Sequence, residues 1–93
     1  MNKYETVIIL NPNLDEGECS AVVDKFADMI GKEGTVDAKE VWGKRRLAYP
    51  VQKNNEGYYV QINFSSNPEF IDELTRVYNI TDEIIKHIVV KVD

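Results

Sequence analysis

Residues 57–64, GYYVQINF, alternate without a break: Tyr58, Val60, Ile62 and Phe64 point one way, Tyr59, Gln61 and Asn63 the other. Side chains on a strand alternate between two faces, so this segment is a strand buried on one face only. A sheet built around it must be covered on the Tyr58 side, and its Tyr59 side is left to solvent or a partner. Every other element has to fit that arrangement.

The covering layer is legible on either side. After an apolar, β-branched first strand, Tyr4–Leu10, the loop Asn11-Pro-Asn-Leu14 breaks the chain and Asp15 with Glu18 forms a capping-box pattern. Cys19, Val22, Val23, Phe26 and Ile30 then recur at three- and four-residue steps, which predicts a helix with one buried face, ending near Gly31 and Gly34. Asn67-Pro68 opens a second helix carrying Ile71, Leu74, Val77 and Tyr78 and ending near Asn79. Thr35–Val51 reads as a long strand bent or bulged at Gly43 and closed by Pro50, which suits a sheet edge. Asn54–Gly57 is expected to turn into the alternating strand, and Ile80–Glu83 into a last strand, Ile84–Val92. The order βαββαβ is the split-βαβ, ferredoxin-like α+β plan: a four-stranded antiparallel sheet with two helices on one face. At 93 residues it forms one domain, spanning 1–93.

Charge is distributed unevenly along this frame. The chain carries 16 acidic against 11 basic side chains, a formal net charge of −5. Yet 39–53 holds Lys39, Lys44, Arg45, Arg46 and Lys53 against one acid, Glu40. An anionic body disfavours independent binding to nucleic acid, so any such contact must be local or shared with a partner. Strand alternation puts Lys44 and Arg46 on one side and Arg45 on the other, except where a bulge at Gly43 relaxes the rule. Trp42 beside these cations offers stacking next to point charges, the combination that unpaired bases and phosphates favour. An edge strand whose cations prevent aggregation explains the same residues without a ligand, and Trp42 suits a core as well as a stack.

Catalytic and metal readings find no support. His87 is the one histidine and has no nucleophile at a recognisable spacing; Cys19 falls on the buried helix face and reads as a packed thiol. One His and one Cys far apart make no metal site, and no Gly-rich phosphate loop occurs. Asp72-Glu73 and Asp82-Glu83 fall on surfaces that water would reach anyway. Small phosphatases of this architecture need an arginine in the loop after the first strand, and Asn11–Leu14 has no cation. We therefore expect no enzyme, no cofactor and no small-molecule substrate. A single cysteine, no apolar run near the roughly 20 residues of a membrane span and no signal-peptide pattern imply a reducing cytoplasm.

Two resemblances bear on function. Gly57-Tyr-Tyr-Val-Gln-Ile loosely resembles the base-stacking strand of RNA-recognition modules, with Tyr59 as the platform, but lacks the basic residue before the glycine and the second glycine. Lys3-Tyr4-Glu5, Asn11-Pro-Asn-Leu14, the block Trp42-Gly-Lys-Arg-Arg-Leu-Ala-Tyr-Pro-Val51 and Gly57-Tyr58-Tyr59 together resemble the bacterial small-subunit ribosomal protein S-six family over the whole chain. That resemblance implies a structural subunit of the small ribosomal particle, binding the central domain of its RNA alongside the small basic ribosomal protein eighteen. It implies RNA or partner contacts at Trp42, Lys44, Arg45 and Arg46, with Tyr59, Lys3 and Lys91 as further candidates; Leu47 and Tyr49 can explain the motif by packing. Many relatives carry a charged tail after the last strand, whereas this chain stops at Asp93, and Val51 replaces the usual isoleucine. A freestanding RNA-recognition module and a ferredoxin-like regulatory or dimerisation domain are the competing readings.

Overall fold

The computed structural model of the chain, described over residues 1–92, runs β1 (Asn2–Leu10), α1 (Glu16–Glu33), β2 (Gly34–Val51), β3 (Asn54–Ser66), α2 (Pro68–Ile80) and β4 (Ile84–Lys91). The strands form one antiparallel sheet in the order β2-β3-β1-β4, the ferredoxin-like arrangement expected from the sequence. Both helices pack on the same face.

The covered face is built from the predicted apolar positions. Tyr4, Ile8 and Leu10 of β1 and Val60, Ile62 and Phe64 of β3 meet Cys19, Val22, Val23, Phe26 and Ile30 of α1 and Phe70, Leu74 and Tyr78 of α2. Each fully buried side chain of this kind is worth about 1.5–3 kcal/mol of transfer free energy, so this layer is the main source of stability. Thr6 is buried within it. It donates to the Ile88 carbonyl at 2.8 Å and meets the Tyr78 hydroxyl at 3.2 Å, which joins β1, β4 and α2 without leaving a polar atom unpaired. Burial pushes the Tyr78 hydroxyl up to about 12. Cys19 is buried as expected, and burial raises its thiol, with Asp15 and Glu18 adding to the effect.

Local signals and structure differ in two places. The capping box at Asp15 and Glu18 forms, and α1 ends at Glu33 between Gly31 and the C-cap Gly34, as expected; it runs through Gly31 because Ile30 is fully buried and tertiary packing outweighs the glycine's low helix propensity. Asn67 makes no side-chain cap, and Pro68 alone marks the start of α2. The β2–β3 turn lies at Gln52-Lys53, with φ of 50° and 65°, instead of at Asn54–Gly57, which is already strand. A two-residue hairpin turn needs left-handed backbone, normally supplied by Asn or Gly, so the sequence rule pointed two residues too far on.

Candidate functional site

The uncovered face is read directly from the register. Ala38, Glu40, Trp42 and Arg45 of β2, Tyr59, Gln61 and Asn63 of β3, Glu5, Val7 and Ile9 of β1, and Lys86, Ile88 and Val90 of β4 share it. Two bulges in β2 decide which of its side chains arrive there. One inserts Asp37, whose carboxylate accepts from the Ser65 hydroxyl at 2.9 Å. The other inserts a residue at Trp42-Gly43, where Gly43 takes φ +79°, a backbone that strains any residue with a Cβ. The second bulge, anticipated at Gly43, turns the Trp42 ring onto the open face.

Trp42 stacks on Tyr59 there, with ring centroids 6.0 Å apart and planes within 8°. The indole N–H donates to the Glu40 carboxylate at 3.3 Å, and the Arg45 Nε donates to the Trp42 carbonyl at the same distance. Trp42 remains 41% exposed. Tyr59 is half-buried, packed against Ile9, Leu47 and Ile85 as well as stacked on Trp42, so the accessible aromatic surface belongs to Trp42.

The end of this face is partly roofed. The β2–β3 hairpin extends past the last β1 pair, Leu10 with Tyr58, and between Arg46 and Val51 the register slips, so that 47–50 loops out. Leu47 tucks against Ile9 and Ile85, while the Tyr49 hydroxyl receives the Lys86 ammonium at 2.7 Å with the ammonium 4.9 Å from the ring. That hydrogen bond lowers the Tyr49 hydroxyl's pKa. Leu47 is thus a packing residue of the hairpin tip, while Tyr49 stays exposed and is tied to β4 only through Lys86. Gly57 permits the crossing, since a Cβ there would collide with Cγ2 of Ile9.

The seven candidate residues do not form one patch. Trp42, Arg45 and Tyr59 come together on the open face. Lys44 pairs with Tyr58 and Arg46 with Glu56, which turns both to the opposite side; Lys44 lines a cleft with Leu14, Asp15 and Glu16 at the start of α1. Lys3 pairs with Ser65 and Lys91 with Tyr4, at the far end of the sheet. Lys39 is drawn to the helix layer by Asp24 at 3.6 Å. Ile88 and Val90, 49% and 47% exposed on the open face, were not anticipated as surface features, although the register rule applied to β4 would have found them.

Among the described residues no cluster suits a metal, and no helix is long and apolar enough to cross a membrane. The His87 Nε2–H donates to Oδ1 of Asn79 at 3.0 Å and the ring lies against Tyr78; its partial burial lowers its pKa.

Comparison with known proteins agrees with this frame. The sequence model of the family described as Ribosomal protein S6 matches residues 3–91. The chain is 53% identical to the small ribosomal subunit protein bS6 of Clostridium perfringens over 92 residues, covering 98% of this chain and 97% of that one. It is 52% identical to the Clostridium novyi protein of the same name, covering 97% and 96%. The crystal structure of 30S ribosomal protein S6 from Thermotoga maritima superposes with a TM-score of 0.94 at 32% identity, over 98% of this chain and 87% of that one.

Proposed function

The chain belongs to the ribosomal protein S6 family and is a structural protein of the small ribosomal subunit, not an enzyme; on that premise we propose that it binds small-subunit ribosomal RNA and the basic ribosomal protein eighteen together, supporting translation on the ribosome. The observation that carries the RNA contact is the Trp42 ring, stacked on Tyr59 and half-open to solvent, with Arg45 fastened to its carbonyl. A fixed indole offers a base a stacking surface with little further loss of entropy, and the adjacent guanidinium offers a phosphate a charge-assisted donor. Lys44 and Arg46 meet phosphate from the other side of the protruding hairpin, so an RNA strand grips the arm rather than a flat sheet.

The charge balance explains the need for a partner. A body at −5 repels RNA at long range, and a cationic protein on the open face offsets that field before the local contacts form. Val7, Ile88 and Val90 supply apolar area for the same partner. Binding of the purified protein to the RNA central domain, with and without protein eighteen, tests the reading. Little binding alone and a marked gain together are expected. Tight, sequence-tolerant binding by the protein alone would instead identify a freestanding RNA-recognition module.

A further inference from the structure

Glu40 is the one acid among the cations of 39–53, where a carboxylate lowers the local affinity for phosphate. Charge pairing does not explain it. Among the described residues no cation lies within ion-pair distance of its carboxylate, and its neighbour Lys39 reaches Asp24 on the helix layer instead. Gln61, opposite Glu40 in the register, donates to Asn63. The contact the carboxylate does make is with the indole N–H of Trp42, two residues on and on the same face, at 3.3 Å.

That contact completes the placement of the ring. Tyr59 takes one face of the indole and fixes its plane to within 8°, but stacking alone leaves the ring free to slide and turn within that plane. A hydrogen bond at the N–H edge removes this last freedom. It also occupies the donor. A free indole N–H offers phosphate a hydrogen bond in competition with stacking, whereas one capped by a carboxylate repels phosphate and leaves the outer ring face as the contact. Arg45, fastened to the Trp42 carbonyl, keeps the positive charge at the backbone end of the residue. We infer that Glu40 is a positioning residue for RNA: its carboxylate holds the Trp42 ring on Tyr59 with the N–H edge closed to phosphate and the outer face open to a base. The inference rests on the reading of Trp42 as the side chain on which RNA stacks.

Trp42 is the only tryptophan, so fluorescence and the indole N–H resonance report on it alone. Two variants of the whole protein remove the same charge. Glu40→Ala also removes the acceptor, while Glu40→Gln keeps a carbonyl oxygen for the N–H. Without RNA, Glu40→Ala is expected to lower the anisotropy of Trp42 fluorescence and to speed exchange of the indole N–H. Glu40→Gln should leave both near the wild-type value, and neither variant should shift the thermal melt, since the bond is exposed. With central-domain RNA and protein eighteen, Glu40→Ala should bind about three- to ten-fold more weakly than Glu40→Gln, the range for one hydrogen bond. A purely electrostatic role would give both variants the same affinity, tighter than wild type. That equality, or an indole equally ordered in all three proteins, overturns the assignment. Should Trp42→Ala leave RNA binding unchanged while Glu40→Ala still frees the ring, the fault lies in the RNA reading and the assignment falls with it; the measurements without RNA tell the two failures apart.

Discussion

Trp42, Arg45 and Tyr59 act as one unit because a single glycine lets the backbone turn the indole. Replacing Trp42 by Ala should weaken RNA association by about 1–3 kcal/mol, the range for loss of one stacked base. It should leave thermal stability nearly unchanged, as the ring is a surface layer over Tyr59. Arg45→Ala should reduce the slope of log affinity against log salt by about one, if its guanidinium meets a phosphate; binding titrations at several salt concentrations read both. His87 makes a separate prediction. Its folded pKa lies below the ordinary value near 6.5, so as pH falls through that value the unfolded chain takes up the proton more readily. Stability should therefore decline between about pH 7.5 and 5.5. His87→Gln, which can still hydrogen-bond Asn79, should flatten that decline in thermal melts; an unchanged slope would place the dependence elsewhere.

At the scale of elements, the hairpin tip is where packing is thinnest. Leu47 holds it with Ile9 and Ile85, and Tyr49–Lys86 is an exposed tie of small value. Leu47→Ala should cost about 2 kcal/mol, the low end for a core truncation, and should speed amide exchange over 45–56 more than in the rest of the sheet. Gly57→Ala should cost about 1–3 kcal/mol through the clash with Ile9, read by denaturant unfolding. The strands and helices were legible because their period matched one buried face: Tyr58 to Phe64 and Cys19 to Ile30 packed where alternation and helical spacing put them. The hairpin turn was not, because Gln52 and Lys53 adopt left-handed backbone without the residues that usually announce it. Nor was the roof over the end of the open face, since nothing local in Leu47 or Tyr49 says that they meet β4. Alternation did separate Lys44 and Arg46 from Arg45, as the register has them, but it did not say which cation shares a face with Trp42, because the bulge at Trp42-Gly43 resets that relation.

For the whole molecule, segregation of charge is the governing property. A −5 body carries a protruding arm with Arg45 and Trp42 on one side and Lys44 and Arg46 on the other, beside an open face with exposed Ile88 and Val90. On the proposed function, such an object is expected to meet RNA weakly until a cationic partner offsets its field and covers the apolar part of that face. The most direct measurement is the affinity of the whole protein for the central domain of small-subunit ribosomal RNA, with and without ribosomal protein eighteen, across a range of salt. Negligible binding alone, a cooperative gain with the partner and a steep loss as salt rises are predicted. Equal affinity in the partner's absence, or a gain that persists after Trp42 and Arg45 are both replaced by Ala, would contradict the account.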